Sequence, residues 1–188
     1  MVGLPMILIG LMPSAMSRPS CEGRHRHNNL HRALYPVART VERMTADEII
    51  TRLDLSPHPE GGFYRQTFVS DAPAGTRPAG TAILFLLRDG GGSHWHRVDA
   101  DEMWFWHAGA PLILSTSAND AGPATDLTLG PDMETMTFQG MVPKHHWQAA
   151  RTTGDWTLVS CTVSPGFQFE GFTLAPSNFD IPHMKNGT

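Results

Sequence analysis
From Phe63 to Leu174 short runs of β-forming residues recur about every 8–12 residues, separated by glycine, proline and asparagine turns. Nothing in that span has the 3.6-residue periodicity of a helix. The runs are Phe63–Val69, Thr81–Leu87, Ser93–His96, Glu102–Ala108, Leu112–Thr116, Thr125–Leu129, Thr135–Gln139, His146–Ala150, Trp156–Val163 and Phe167–Leu174. This spacing predicts an all-β antiparallel sandwich or barrel. A helix stands before it. Thr45-Ala-Asp-Glu48 is a capping box, and Ile49, Ile50 and Leu53 give an apolar face over Thr45–Leu53. Ser56-Pro57 stops that helix, and Pro57-His-Pro-Glu-Gly-Gly62 forms a rigid turn into the first long run.

The chain divides by charge. Its net charge is −4, yet residues 1–43 carry six Arg against Glu22 and Glu42, leaving −8 on the rest. An acidic body excludes a nucleic-acid footprint, so no nucleic-acid partner is expected. The apolar stretch Met1–Met12 is too short for a membrane helix of about 20 residues, so no membrane partner is expected either. Residues 1–43 read as a disordered leader, from a mis-assigned start or an organelle-targeting segment. The domain is expected over 44–176, with 177–188 as a C-terminal tail. Cys21 and Cys161 make no disulfide framework, which suits a reducing, cytoplasmic setting.

The stretch richest in chemistry is Ser93–Gly109, SHWHRVDADEMWFWHAG. On a strand, residues i and i+2 share a face, so His94 and His96 are expected to aim two imidazoles into one cavity. Glu102 returns across the hairpin to face them. Two His and one carboxylate would hold a divalent metal (Fe, Mn, Ni or Zn). The competing reading is a hydrogen-bonded pocket cluster with no cofactor.

These residues resemble the first motif of the cupin family, a glycine, H-x-H, a short gap, Glu, six residues and Gly. Here it reads Gly90 or Gly91, His94, His96, a gap of five, Glu102, six residues, Gly109. In the second motif, P-x-G-x-x-H, Pro143 is present, His145 replaces the glycine and Gln148 replaces the last histidine. The segments Pro57–Tyr64, His96–Trp104, Trp147–Ala150 and Val163–Phe172 resemble more narrowly the largely uncharacterised fifth cupin family, related to dTDP-sugar epimerases. The resemblance implies a double-stranded β-helix (an RmlC-like jelly-roll barrel) with one short N-terminal helix and a ligand pocket inside the barrel. It also implies pairing of barrels, and exposed edge strands likewise favour a homodimer.

His96 and Glu102 are the expected catalytic pair, with His94 as a third metal ligand. Glu60, Tyr64, Arg65, Trp104, Trp147 and Gln148 are the expected ligand-binding residues. Glu60 and Arg65 would serve either a ligand or an ion pair at the barrel mouth. Three functions follow for a small-molecule partner: a metal-dependent enzyme, a metal-free epimerase-like isomerase with His96 as base oriented by Glu102 or Asp101, and a sugar- or nucleotide-binding module without turnover.

Overall fold
The computed structural model describes residues 41–183. Most of the expected leader and the last five residues lie outside them. Helix α1 (Ala46–Leu53) begins at Thr45, whose hydroxyl accepts from the Glu48 amide while the Glu48 carboxylate accepts from the Thr45 amide at 2.7 Å. This is the reciprocal box that the sequence predicted.

Eleven strands follow among the described residues: β1 (Ser56–Pro57), β2 (Phe63–Val69), β3 (Thr81–Arg88), β4 (Gly92–Val98), β5 (Asp101–Gly109), β6 (Leu112–Ser117), β7 (Thr125–Leu129), β8 (Gln139–Val142), β9 (Trp147–Thr152), β10 (Trp156–Ser164) and β11 (Phe172–Leu174). They form two antiparallel sheets. The six-stranded sheet runs β1-β2-β3-β10-β5-β8, and the five-stranded sheet runs β11-β4-β9-β6-β7. The predicted all-β jelly roll with one short N-terminal helix is the observed fold. No described helix is long and apolar enough to cross a membrane.

Two expected strands move. Asp132 collects Thr135 and the Met136 amide into a turn, so the strand begins only at Gln139 rather than Thr135. Phe169–Gly171 is a single 3-10 turn, so the last strand is Phe172–Leu174 rather than Phe167–Leu174.

The core between the sheets is filled at one end by Phe85, Leu87, Trp104, Leu112, Leu114 and Val159. Each such side chain contributes about 1.5–3 kcal/mol on burial. Helix α1 covers the outer face of the six-stranded sheet, with Ile49 and Leu55 against Leu86 and Trp156. Val41 packs there too, so the domain begins before Met44. The expected tail is also part of the domain. Ile181 is fully buried with Trp95, Trp147 and Ala124 on the outer face of the five-stranded sheet, and the Trp95 indole donates to Asp180 at 2.9 Å.

Candidate functional site
The end of the barrel that the core leaves open is a cavity of about 160 Å³. Its polar wall is built by His58, Glu60, His96, Glu102 and Cys161. Tyr64, Ile83, Phe85, Val98, Trp104 and Val163 form the apolar wall, and Phe167 and Phe169 stand at the mouth.

The Pro57–Gly62 turn is folded inward. Gly61 and Gly62 have positive φ (107° and 68°), and Gly61 passes so close to the Gly92 carbonyl that a side chain there would collide with it. The His94 amide donates to the Glu60 carbonyl at 2.8 Å, pinning the turn onto β4. His58 and Glu60 are thereby delivered into the barrel. Glu60 is buried, accepts from Ser93 Oγ at 2.8 Å, and its Oε2 lies 3.3 Å from both His58 Nδ1 and His96 Nε2. Burial alone would push its carboxyl up. The His96 charge, the His58 hydrogen bond and the Ser93 hydroxyl outweigh burial, and Glu60 lies below the usual carboxylate range.

Glu102 enters from β5 and behaves oppositely. Burial pushes it above the usual range, opposed only in part by the His96 charge and by the hydrogen bond from Gln148. The Trp104 indole donates to Gln148 Oε1 at 3.0 Å, which fixes the amide so that Nε2 donates to Glu102 Oε2 at 2.7 Å. The Cys161 thiol also bonds Glu102, and burial holds that thiol protonated. Every buried side-chain nitrogen and oxygen among the described residues has a partner.

The imidazoles have distinct roles. His96 Nδ1 donates to the His94 carbonyl at 2.8 Å, which turns Nε2 toward Glu60. His58 reaches the same carboxylate through Nδ1. That nitrogen lies 3.5 Å from the Glu60 amide, at the limit of a hydrogen bond, so the carboxylate is its working partner. His58 Nε2 has no partner among the described residues, and the ring lines the cavity. The ring is edge-on to Tyr64 at 4.7 Å and stacked with Phe169 at 6.4 Å.

Thus His96, Glu102, Glu60, Tyr64 and Trp104 meet in the cavity as expected. His94 does not. Between β4 and β9 the register advances from Ser93↔Ala150 to His96↔Gln148, three residues against two. This bulge breaks the i, i+2 alternation. Ser93 and His96 face inward, and His94 turns out to the Pro176 carbonyl at 2.9 Å. The metal set of His94, His96 and Glu102 therefore does not form. No group of three or more His, Cys, Asp or Glu among the described residues is placed to hold a metal ion, and Glu102 is engaged by an amide N–H donor. The donor set does not fit a divalent metal.

Other corrections follow from side-chain direction. Arg65 is exposed and does not line the cavity, so Glu60 pairs with imidazoles instead. Trp147 lies on the outer face, donating to Asp120 at 2.6 Å under the Arg97 guanidinium. Gln148 stands behind the cavity wall as a positioning residue. Asp101 is exposed, accepts from the Lys144 amide and does not orient His96. Sequence reading missed His58 and Cys161. His58 carried a signal, since it shares a six-residue turn with Glu60.

Residues 47–175 match the family described as Cupin superfamily (DUF985). A crystal structure of a Shewanella oneidensis protein is similar at 40% identity and TM-score 0.66, covering 70% of this chain and 85% of that one. A hypothetical protein from Leishmania major is similar at 32% identity and TM-score 0.65, covering 72% and 90%. No curated protein matches.

Proposed function
The chain belongs to the DUF985 family of the cupin superfamily, and from the pocket it builds we propose an isomerase-type enzyme that moves a proton next to a carbonyl group. The observation that carries this reading is the pair of buried carboxylates in one cavity, Glu60 pushed toward its charged form and Glu102 toward its neutral form. Environments that push two titratable groups apart assign a base side and an acid side.

On the base side, ionised Glu60 holds His58 by Nδ1–H, which leaves the Nε2 lone pair facing the cavity. The proton on carbon α passes to His58 Nε2. The C–H electron pair becomes the new C=C bond, and the carbonyl π pair takes the proton that Glu102 carries. The product of this half-reaction is an enol. Returning the proton to the other face of carbon α, while the enol hydroxyl gives its proton back to Glu102, yields an epimer. Where carbon α carries a hydroxyl, that hydroxyl gives up its proton instead and the neighbouring carbon is protonated, which moves the carbonyl; no oxidant, reductant or metal enters. His96 keeps Glu60 charged. The relation to dTDP-sugar epimerases expected from the motifs is a relation of chemistry in this proposal.

The test is incubation in D2O with carbonyl compounds ranging from acetoin to a nucleotide sugar, reading deuterium at carbon α by NMR. The wild type should catalyse exchange into at least one. His58→Ala and Glu102→Gln should each slow it about 10²–10⁴-fold, the range of general acid–base catalysis. Saturable binding without exchange would instead support the non-catalytic binding module.

The protein is proposed to work as a homodimer. Phe68, Ala82, Thr162, Met103 and Met141 lie in register as one lateral row on the outer face of the six-stranded sheet, and Phe68 and Met141 are about half exposed, at 56% and 55%. Light scattering should give a dimer mass that Phe68→Asp halves; a wild-type monomer would refute it.

A further inference from the structure
We infer that the ligand of this cavity is a compact, uncharged hydroxycarbonyl compound, and that the cavity rejects anions such as carboxylates, phosphates and nucleotide sugars. The inference rests on the proton-transfer reading for the carbonyl, and on three independent features for size, charge and shape.

The first is size. Pockets for drug-sized ligands start at roughly 300 Å³, and this one holds about 160 Å³. A space of that size takes a molecule of few non-hydrogen atoms. A sugar ring carrying a nucleoside diphosphate does not fit inside it.

The second is charge. Two carboxylates line the cavity, and no arginine or lysine among the described residues does. Arg65, the nearest sequence candidate for gripping an anion, is exposed and does not line the cavity. An anion would lie beside Glu60, and the one cation there among the described residues, His96, already faces that carboxylate at 3.3 Å, so the anion would stay unpaired, and an unpaired buried charge is heavily penalised. A cation finds no vacancy either. Glu60 already accepts from Ser93 and faces His58 and His96, and Glu102 is taken by Gln148 and Cys161.

The third is the division of the walls. His58, Glu60 and Glu102 occupy the polar side, while Ile83, Val98 and Val163 supply branched aliphatic surface. A ligand matched to both has a carbonyl and a hydroxyl at one end and hydrocarbon at the other.

The test uses acetoin against lactate, which is of similar size but anionic, then propanolamine as a cation and dTDP-glucose as the large anion. Binding is read on the assigned Trp104 indole N–H signal of the full-length wild-type protein, since Trp104 lines the cavity. Acetoin should shift that signal saturably. Lactate and propanolamine should bind at least about tenfold more weakly, and dTDP-glucose should leave the signal unmoved. Lactate or dTDP-glucose binding as tightly as acetoin would overturn the inference. So would the absence of a saturable acetoin shift at every concentration that leaves the protein folded. The two readings fail separately. Selective acetoin binding without deuterium exchange leaves the ligand class standing and removes the chemistry. Exchange into acetoin together with tight lactate binding does the reverse.

Discussion

The two faces of the β4–β9 pair are both buried, and they are buried by opposite means. The outer face carries Trp95 and Trp147, with Ile181 and Phe179 laid over them. Each indole N–H donates to a carboxylate from a neighbouring segment, Asp180 and Asp120. Those bonds fasten the C-terminal segment and the β6–β7 turn. The inner face carries Ser93, His96 and Gln148, which bond to carboxylates that line an open cavity. Burial is equally deep on both faces, at 5% exposure for Trp95 and Trp147 and 1–2% for Gln148 and His96. Depth of burial therefore does not mark a site. Buried polar groups gathered around empty space do.

The comparison can be broken from either side. Trp95→Ala should have the largest effect, removing about 3–5 kcal/mol of stability while the remaining folded protein binds ligand normally. If binding per folded molecule fell as well, the outer face would not be purely structural. Glu60→Gln comes next. It leaves His96 without its counter-charge and His58 without its acceptor, for a loss of about 3 kcal/mol measured by urea unfolding. It should also abolish deuterium exchange.

Glu102→Gln should separate the two kinds of burial most cleanly. Glutamine can still accept from Gln148 and mimics the neutral acid, so folding should hold while exchange is lost. Its effect on stability has a definite sign. Glu102 has a raised folded-state pKa, so its contribution is fully present below the unfolded value of about 4.3 and is lost as pH rises through the folded value. The Tm of Glu102→Gln should therefore gain on wild type as pH increases. Glu60 has the opposite sign. Its stabilisation is present above that value and is lost as pH falls through its depressed folded pKa. A Tm difference for Glu102→Gln that is flat with pH would mean that Glu102 is not perturbed.

The smallest effect belongs to His94→Ala, which removes one bond to the Pro176 carbonyl and should lower stability by about 1 kcal/mol. Ligand binding should survive both this change and treatment with a chelator. Loss of binding in either experiment would restore His94 to the cavity and a metal with it.

The fold was legible because strand alternation and the Thr45–Glu48 box are local signals. Within the strands of the site, alternation was a sure guide where it is unbroken. On β5, Glu102 and Trp104 face inward at the expected parity. On β4 a single extra residue reverses His94, and nothing in the residues of Ser93–His96 announces a bulge. Glu60 was expected either on a ligand or in an ion pair with Arg65 at the barrel mouth, and the turn alone does not decide between them. Its backbone bond to His94 is a long-range contact that no local pattern encodes. The same inward fold hid His58. Trp147 was misplaced for a different reason: an aromatic residue suits a pocket wall and a packed outer face equally, and only the docking of Ile181 decides between them.

The central claim is that one cavity holds Glu60 charged and Glu102 neutral over a shared pH range. Carbon-13 NMR titration of the glutamate side-chain carboxyls tests it directly, with Glu60→Gln and Glu102→Gln assigning the two signals. The expected result is two separate titrations, Glu60 below and Glu102 above the ordinary value of about 4.3. Coincident titration near that value, or the reverse order, would contradict it.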